Sequence, residues 1–267
     1  MLRLKSKNNK KVMVVFEKMH GLGNDFVLID NRHQNFKPSA SLIVSLANRN
    51  TGIGFDQLLL LENSSENDCD VSYRFFNPDG SEAEQCGNGQ RCIAKYLHSQ
   101  NPEKTEFCVN GLAGKVFSNV YDNGLVTVNL GKAKSIIPAQ HDHEKGYQVD
   151  FGNPHFVLEK KNIEDVNLNV LNDEIIKSYP NGINIEIVEI LSADSMKIRV
   201  YERGTGETLA CGSGACASAL AMMSENKFSN KVKVMLPGGE LVVEYNDDGD
   251  TLLTGEAVSV FRGEIQI

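Results

Sequence analysis

A short pattern that occurs twice, far apart in the chain, constrains the fold more than any other feature of the sequence. Cys86 begins the stretch CGNG and Cys211 begins CGSG, and in both copies a glutamate precedes the cysteine by four residues and an alanine follows it by eight. Upstream of each copy, GNDFVLI (23–29) resembles GNPHFVLE (152–159). Because two signals recur in the same order at similar spacing, the sequence predicts two related domains that arose by duplication.

Short runs rich in branched and aromatic residues, bounded by Gly, Asn, Asp or Pro, are typical of strands. They include FVLID, DQLLLLE, VSYRFF, LVTVNL, FVLEK, INIEIVEI, MKIRVYE, KVKVML and ELVVEY. Helical segments are few, and they are SASLIVSLANRN, GQRCIAKYLHSQ, NLNVLNDEIIKSY and GACASALAMMSEN. Since strands outnumber helices and do not alternate with them regularly, the predicted fold class is α+β.

The ends of the two predicted domains follow from composition. The stretch 131–146 is polar and contains Pro138, so we expect the domain boundary there. At the start, MLRLKSKNNKK is basic, and the apolar VMVVF after it is too short for a secretory signal and typical of a first strand. We interpret residues 1–12 as an N-terminal extension. No apolar run approaches the roughly 18 residues of a membrane helix, and the net charge of −8 argues against a nucleic-acid surface.

Six cysteines are scattered through the chain, and they are Cys69, Cys86, Cys92, Cys108, Cys211 and Cys216. Without an export signal, this distribution favours reduced thiols in the cytoplasm over a disulfide framework. The cysteine spacings do not fit a zinc site, so we expect no metal. We interpret Cys92 and Cys216, which fall inside predicted helices, as core residues, and we expect Cys69 and Cys108 to be structural as well.

The glycine-rich turns after Cys86 and Cys211 point to chemistry. Glycines allow the backbone to approach a ligand closely, and the first N–H groups of a helix carry a partial positive charge that can hold a carboxylate. The same field lowers the pKa of a thiol from about 8.5 towards the range where its thiolate forms. Each turn is therefore predicted to supply both a base and a carboxylate-binding site.

Two such turns suggest one reaction. Equivalent halves that face each other across a cleft would bring one thiol to each side of a single substrate. A thiolate could then remove a proton from one face of a stereocentre while a thiol delivers a proton to the other, and both helix N-termini would stabilise the developing negative charge. The sequence shows no lysine in an obvious Schiff-base setting, so the chemistry is predicted to run without pyridoxal phosphate or any other cofactor.

Eight segments carry a more specific signal. They are KMHGLGNDFVLID, GIGFDQLLLL, FFNPDGSEAEQCGNGQRC, GNPHFV, NGINIE, YERGTGETLACGSGACA, LPGGEL and LTGEAVSVFRGEI. Together and in this order they resemble the diaminopimelate epimerase family, and the resemblance covers nearly the whole chain, from about residue 16 to residue 267.

The resemblance implies a fold and an activity. The fold is a pseudo-symmetric pair of α+β domains, each an antiparallel sheet wrapped around a central helix, with the cleft between them. In the family the C-terminal strand packs on the first domain, so the domains are expected at 13–130 plus 257–267 and at 131–256. The implied activity is cofactor-independent interconversion of LL- and meso-2,6-diaminopimelate, for lysine and peptidoglycan synthesis, in a homodimer.

The resemblance also implies roles for particular residues. Cys86 and Cys211 would be the catalytic thiols, with Cys86 as proton donor and Cys211 as acceptor in one direction. His155 and Glu202 would flank these thiols and tune their ionisation. The implied substrate-binding residues are Asn24, Gln57, Asn77, Gly87, Asn88, Asn153, Asn184, Glu202, Arg203, Gly212 and Ser213. Among them, the helix-mouth residues would bind the reacting carboxylate, and Arg203 suits a bidentate grip on the distal one.

Other interpretations stay open from the sequence. A proline or hydroxyproline racemase also pairs two thiols, but such enzymes typically read Cys-Gly-His-Gly at the first site, where this chain has Asn88. A thiol-based redox sensor, or a binding protein, would use the two cysteines differently. Taken singly, the asparagines beside Gly, Asp or Pro are typical turn residues. Pro78 and Glu186 depart from the family pattern, and we expect neither to touch a predicted catalytic group.

Overall fold

The computed structural model describes residues 12–83, 85–141 and 144–267, so most of the predicted extension lies outside the described residues. Its strands are β1 (Met13–Gly21), β2 (Asn24–Asp30), β3 (Gln57–Glu62), β4 (Val71–Phe76), β5 (Glu82–Ala83), β6 (Glu106–Gly111), β7 (Gly114–Val120), β8 (Val126–Asn129), β9 (Ser135–His141), β10 (Glu144–Asp150), β11 (Pro154–Glu159), β12 (Asn184–Ser192), β13 (Ser195–Glu202), β14 (Gly206–Thr208), β15 (Lys231–Leu236), β16 (Gly239–Tyr245), β17 (Thr251–Gly255) and β18 (Val258–Gln266). Its helices are α1 (Ala40–Ala47), α2 (Gly87–Gln100), α3 (Leu168–Ile175) and α4 (Gly212–Ser224), with one 3₁₀ turn at Ile163–Asp165. This strand-rich arrangement confirms the α+β prediction.

Strand pairing repeats once along the chain. The first half has the order β18, β1, β2, β3, β4, β6, β7, β8, and the second half has β9, β10, β11, β12, β13, β15, β16, β17. Each half is antiparallel apart from two parallel pairs, β2 with β3 and β4 with β6, matched by β11 with β12 and β13 with β15. β8 pairs with β17 and joins the halves. The predicted duplication is thus visible in the topology.

Each half wraps its sheet around one buried helix. In the first half, Cys92, Ile93 and Leu97 of α2 share a core with Phe26 and Phe75 from β2 and β4. Full burial of a side chain such as Ile93 or Leu97 stabilises the fold by about 1.5–3 kcal/mol. The helix interiors predicted from sequence are therefore the centres of the two cores.

The second core is built around α4, where residues 215–222 are all buried. Strands contact α4 on several sides, including β10, β11, β12, β16 and β17, and small side chains such as Ala215 and Ala219 allow the close packing this requires. Cys92 and Cys216 are both fully buried, which confirms that they are core residues. The helices α1 and α3 contribute to two further apolar clusters, one in each half.

The described part of the polar stretch 131–146 contains strands, and the domain boundary expected there stays a prediction. The stretch holds β9 and the start of β10, which pair with each other from Ser135 opposite Asp150 onwards. Pro138 lies in β9, whose only strand partner among the described residues is β10. An edge strand tolerates proline, which has no backbone N–H, because one side of the strand forms no hydrogen bonds to a second neighbour. The sequence missed both strands because exposed and half-buried positions interrupt their apolar pattern.

The expectation that all six cysteines are reduced is wrong for one pair. Cys69 and Cys108 form a disulfide, with their Cα atoms 4.6 Å apart. Backbone pairing brings them together: the N–H of Asp70 donates to the carbonyl of Cys108 at 2.8 Å, and the N–H of Cys108 donates to the Asp70 carboxylate at 3.0 Å. Because this contact joins distant parts of the chain, cysteine spacing gave no sign of it.

Candidate active site

Both cysteines of the repeated pattern are the N-cap residues of buried helices. The Sγ of Cys86 accepts a hydrogen bond from the backbone N–H of Gly89 at 3.4 Å at the start of α2. At the start of α4, the Sγ of Cys211 accepts one from Gly214, also at 3.4 Å. Since the first N–H groups of a helix have no partner within it, both sulfur atoms lie where negative charge is favoured.

The two helix N-termini are in contact. A Cβ atom on Gly212 would lie 3.6 Å from the Cα of Gly87 and 3.5 Å from the Oδ1 of Asn88, which are van der Waals distances, so the two helix mouths lie side by side. The Nδ2 of Asn88 donates to the carbonyl of Ala210 at 3.4 Å, which links the two halves. The Oδ1 of Asn88 accepts a hydrogen bond at 2.8 Å from Arg91, a fully buried cation that the sequence did not single out.

Burial raises the pKa of both thiols. For Cys86 burial raises the pKa to about 11, with the N–H of Gly89 opposing it. For Cys211 burial, together with the charges of Glu202 and Glu186, raises the pKa well above its ordinary value. The expectation of lowered thiol pKa values is therefore wrong for the unliganded protein, because loss of hydration disfavours a thiolate more than the helix N–H groups favour it.

The polar partners of Cys86 come from the first half. Its Sγ donates to the Oδ1 of Asn24 at 3.8 Å, and the same oxygen accepts from the Nδ2 of Asn88 at 3.1 Å. The Nδ2 of Asn24 donates to the Asp56 carboxylate at 2.9 Å. Asn24 is thus held with its oxygen towards the thiol by bonds on both sides of its amide.

The polar partners of Cys211 form a longer chain in the second half. Its Sγ lies 3.5 Å from the Oγ of Ser213, which accepts from the Nδ2 of Asn153 at 3.4 Å. The Oδ1 of Asn153 lies 3.1 Å from the Nε2 of His155, and the Nδ1 of His155 lies 2.7 Å from the Oε1 of Glu186. His155 and Glu186 are completely buried. The structure therefore connects the second thiol to a buried carboxylate.

The expectation that Glu186 touches no predicted catalytic group is wrong. Besides binding His155, its carboxylate lies directly under the mouth of α4, where a Cβ on Gly214 would be 2.7 Å from its Oε1. Pro78, by contrast, has no hydrogen bond or charge contact to either thiol among the contacts described. Glu186 was overlooked because a glutamate in INIEIVEI is typical of the solvent-facing side of a strand.

Glu202 lies close to both thiols. Burial raises the pKa of Glu202, while hydrogen bonds from Thr208 and Cys211 oppose this; the Oγ1 of Thr208 donates to its Oε1 at 2.5 Å. In turn the charge of Glu202 raises the pKa of both Cys86 and Cys211. A carboxylate in this position couples the ionisation of the two thiols.

The other predicted site residues have hydrogen-bond partners of their own. The Nε2 of Gln57 donates to the Oδ1 of Asn77 at 3.0 Å, while its buried Oε1 has no hydrogen-bond partner among the described residues. The Oδ1 of Asn184 accepts from the backbone N–H of Arg203 at 2.9 Å, which fixes the start of that side chain. The guanidinium of Arg203 pairs with no carboxylate in the described part of the chain, and its Nη1 donates to the carbonyl of Asn181 at 3.3 Å.

The chain matches a protein-family model over most of its length. The model described as diaminopimelate epimerase matches residues 16–136 and 147–260, and both copies of the repeated pattern lie within these ranges. This chain belongs to the diaminopimelate epimerase family. A curated relative, the diaminopimelate epimerase of Neisseria meningitidis serogroup A / serotype 4A, is 40% identical in an alignment of 278 residues that covers 94% of this chain and 97% of the relative.

Solved structures share the fold at much lower identity. A PhzF-family phenazine biosynthesis protein from Bacillus anthracis has a TM-score of 0.75 at 17% identity, covering 96% of this chain and 99% of that one. A hydroxyproline epimerase from Agrobacterium vitis has a TM-score of 0.71 at 11% identity, covering 97% of this chain and 94% of that one. Since the family shares its fold with an enzyme of hydroxyproline, the family match and not the fold argues against the racemase alternative.

A charged network that the sequence did not predict lies beside Asn24. Arg49 contacts the Asp25 carboxylate at 2.6 Å and the Asp56 carboxylate at 2.7 Å, and Lys18 also pairs with Asp25. Burial by itself would raise the pKa of Asp25, but the hydrogen bonds from Arg49 and Lys18 outweigh burial and lower the pKa to about 2. Since Asp56 in turn binds Asn24, this network positions a member of the first thiol's surroundings.

Replacing Arg49 with methionine is expected to lower the free energy of unfolding near neutral pH. The folded-state pKa of Asp25, about 2, lies below its ordinary value of 3.8, so the stabilisation is present above about pH 4 and is lost as the pH falls towards about 2. Urea unfolding should show the difference from wild type shrinking over that acid range. Lys231→Met, which removes the exposed pair with Glu244, is the control. A difference independent of pH would contradict the expectation.

Proposed function

We propose that this chain interconverts LL- and meso-2,6-diaminopimelate without a cofactor, in the route to lysine and peptidoglycan. The observation that carries the proposal is that two thiols, Cys86 and Cys211, cap two buried helices whose N-termini touch. Related halves joined in this way present equivalent groups to the two sides of one ligand. The family affiliation supports diaminopimelate as that ligand.

In the proposed reaction the α-carbon of the substrate lies between the sulfur atoms of Cys86 and Cys211. One thiolate removes the α-proton, and the electron pair of the broken C–H bond moves towards the adjacent carboxylate. The other thiol then gives its proton to the opposite face, and the new C–H bond has the inverted configuration. One proton leaves and one is delivered, so the two sulfur atoms exchange the roles of thiolate and thiol in each turnover.

The helix mouths would hold the reacting carboxylate. Gly87 and Asn88 begin α2, and Gly212 and Ser213 begin α4, so their N–H groups can converge on one anion. These groups favour negative charge, which increases on the carboxylate as the proton leaves. Because burial raises the pKa of both thiols in the unliganded protein, we propose that the α-ammonium of the bound substrate supplies the positive charge that favours a thiolate.

The residues around the thiols would tune this ionisation. Glu202 is near both sulfur atoms, and its negative charge resists formation of two thiolates at once. His155 acts from the second half, where it reaches the thiol through Asn153 and Ser213. These contacts support the assignment of His155 and Glu202 as tuning residues, since each is connected to a thiol by hydrogen bonds or by its charge.

The distal end of the substrate carries a second ammonium and a second carboxylate. We propose that Arg203 binds this carboxylate, because its guanidinium is exposed and has no carboxylate partner among the described residues. The free Oε1 of Gln57 is an acceptor for the distal ammonium. The amide residues Asn24, Asn77, Asn153 and Asn184 complete the proposed substrate site. Leaving such groups unpaired is costly, so substrates without the distal charges should be rejected.

The test uses stereochemically pure LL-diaminopimelate in D₂O with the reduced protein and no added cofactor. We expect α-proton exchange by NMR together with conversion to the meso form by chiral separation. Pyridoxal phosphate and a metal chelator should leave the rate unchanged. A folded, reduced protein that neither exchanges nor converts this substrate would refute the proposal, and exchange of proline under the same conditions would favour the racemase alternative.

We also propose that the protein is a homodimer in which a second copy covers β18. This strand pairs with β1 and with no other strand among the described residues, and its Val260 and Phe261 are 55% and 49% exposed. An apolar edge strand is a ready template for another chain. Phe261→Glu is expected to shift the sedimentation of the protein from dimer to monomer, whereas Phe117→Glu, which changes an exposed side chain of β7, should leave a dimer. A monomeric wild type would contradict this proposal.

No helix within the described ranges has the length and apolar character needed to cross a membrane. We propose a cytoplasmic location, because the reaction needs Cys86 and Cys211 reduced and reducing compartments maintain free thiols. The structure leaves both of these cysteines unpaired, while Cys69 and Cys108 are joined. The Cys69–Cys108 disulfide by itself would favour an oxidising compartment, and the proposal gives more weight to the two free thiols that the reaction needs.

A further inference from the structure

The two thiol sites differ in the side chain that packs directly beneath the helix mouth. In the first half, a Cβ on Gly89 would contact Leu59 at 3.3 Å, whereas in the second half a Cβ on Gly214 would contact Glu186 at 2.7 Å. Both Leu59 and Glu186 are completely buried. A buried carboxylate is unfavourable unless it is paired, so the internal repeat itself shows that leucine suffices for packing at this place.

The hydrogen bonds that lead from Glu186 to Cys211 have a definite order of donors and acceptors. Both ring nitrogens of His155 face acceptor oxygens, from Glu186 and from Asn153, and a doubly protonated ring satisfies both. The oxygen of Asn153 is then engaged, and its Nδ2 donates to the Oγ of Ser213. Because that hydroxyl oxygen accepts a bond, its own proton is available to the Sγ of Cys211 at 3.5 Å.

We propose that Glu186 is a positioning residue for Cys211, holding His155 doubly protonated so that the hydroxyl of Ser213 is directed at the sulfur atom and stabilises its thiolate. We call the chain of Glu186, His155, Asn153, Ser213 and Cys211 the relay. No proton is transferred along the relay. Its effect on Cys211 depends only on which atom donates each hydrogen bond. The importance of the relay for turnover rests on the proposed function, but the reactivity of Cys211 tests the relay without any substrate.

If Glu186 acted only through its negative charge, it would disfavour the thiolate of Cys211 instead of stabilising it. The groups that face Cys211 are Glu202 from β13, Glu186 from β12 and Ser213 from α4, with His155 of β11 behind them. Both carboxylates disfavour a thiolate through their charge. In the proposed relay the positive charge of His155, 2.7 Å from Glu186, opposes that repulsion, and the directed hydroxyl adds a stabilising hydrogen bond to the thiolate. The sign of the effect therefore separates the relay from simple repulsion.

The variant Glu186→Gln tests the relay. The amide oxygen still accepts from Nδ1 of His155, but without the carboxylate charge the ring keeps one proton. Its Nε2 then becomes an acceptor, Asn153 turns its Nδ2 towards it, and the hydroxyl of Ser213 donates to Asn153 instead of Cys211. In the reduced, unliganded protein, iodoacetamide should alkylate Cys211 about tenfold more slowly across the pH range tested, as for a shift of one pKa unit. Mass spectrometry of the digested protein measures the alkylation rates of Cys86 and Cys211 on separate peptides, and the rate for Cys86 should not change.

Two further variants make the result decisive. Glu207→Gln makes the same chemical change on the carboxylate that binds Arg199 and should alter neither thiol. Ser213→Ala should slow the alkylation of Cys211 as much as Glu186→Gln does. In the double variant Cys211 should be alkylated no more slowly than in either single variant, because both changes interrupt the same relay. If Glu186→Gln does not fold, Ser213→Ala and Asn153→Ala provide the same selective readout from the other end of the relay.

Three results would overturn the relay: faster alkylation of Cys211 in Glu186→Gln, equal slowing at both thiols, or additive slowing in the double variant. Faster alkylation would show that the charge of Glu186 acts by repulsion, and equal slowing would show a general loss of structure. If Cys211 slows selectively but the wild type does not exchange the α-proton of diaminopimelate, the relay stands and the proposed function fails.

Discussion

Replacing Cys86 or Cys211 with alanine is expected to slow the conversion of LL- to meso-diaminopimelate by about 10²–10⁴-fold, the usual contribution of a general acid or base. Each sulfur atom caps its own helix, and neither can reach the opposite face of a substrate bound between them. The measurement is the initial rate of product formation by chiral separation in protein shown to be folded by circular dichroism.

The single variants should also separate proton exchange from inversion. With only one thiol left, a variant can still remove the α-proton that faces that thiol, but it cannot deliver a proton to the other face. In D₂O, each variant should therefore slowly exchange the isomer whose proton faces its remaining sulfur, without forming the other isomer. Efficient inversion by either Cys86→Ala or Cys211→Ala would contradict the two-thiol mechanism.

Matched controls exist on the same two helices. Cys92 of α2 and Cys216 of α4 are completely buried in the two cores and have no place in the proposed reaction. Cys92→Ala and Cys216→Ala should keep the wild-type conversion rate, with a modest loss in the free energy of unfolding from the smaller side chain. If they lost activity as completely as Cys86→Ala, the loss would reflect core packing instead of thiol chemistry.

The sequence was sufficient where local interactions determine the structure. A cysteine followed by glycines before an apolar segment predicted that helices follow Cys86 and Cys211, because N-capping depends on neighbouring residues. The predicted segments began at Gly89 and Gly214, two residues after the observed starts of α2 and α4. The repeat predicted two related halves, and their matched strand orders follow it. Cys86 and Cys211 could be chosen as candidates for the same reason, since helix capping and the repeat both act on them.

The sequence was insufficient where distant segments determine the environment. Cys69 and Cys108 gave no sign of pairing, because the contact depends on β4 and β6 lying side by side. The pKa of each thiol depends on how far tertiary packing removes it from water, which the local sequence pattern does not reveal. Both pKa values are therefore raised, although the helix N-termini predicted lower ones. Glu186 has the spacing of an ordinary strand residue, and only the parallel pairing of β11 with β12 brings it to His155.

Replacing Arg203 with lysine is expected to raise the KM for diaminopimelate by about 10–100-fold, the effect of losing one hydrogen bond to a charged group. Lysine keeps the charge but not the planar fork that binds a carboxylate through two bonds. Alkylation of Cys86 and Cys211 should be unchanged, since Arg203 lies outside their hydrogen bonds. Arg32→Lys, at an arginine that pairs with Asp30, is the control.

Lysine as a substrate analogue provides a stricter test of Arg203, because it is diaminopimelate without one carboxylate. The wild type should exchange the α-proton of lysine about 10⁴-fold less efficiently than that of diaminopimelate, since the group that binds the distal carboxylate is left unpaired. If Arg203 binds the distal carboxylate, Arg203→Lys should lower kcat/KM for diaminopimelate but leave the slow exchange of lysine unchanged. An equal loss for both compounds would show that Arg203 supports the site in general, and unchanged saturation by diaminopimelate would remove it as the distal anchor.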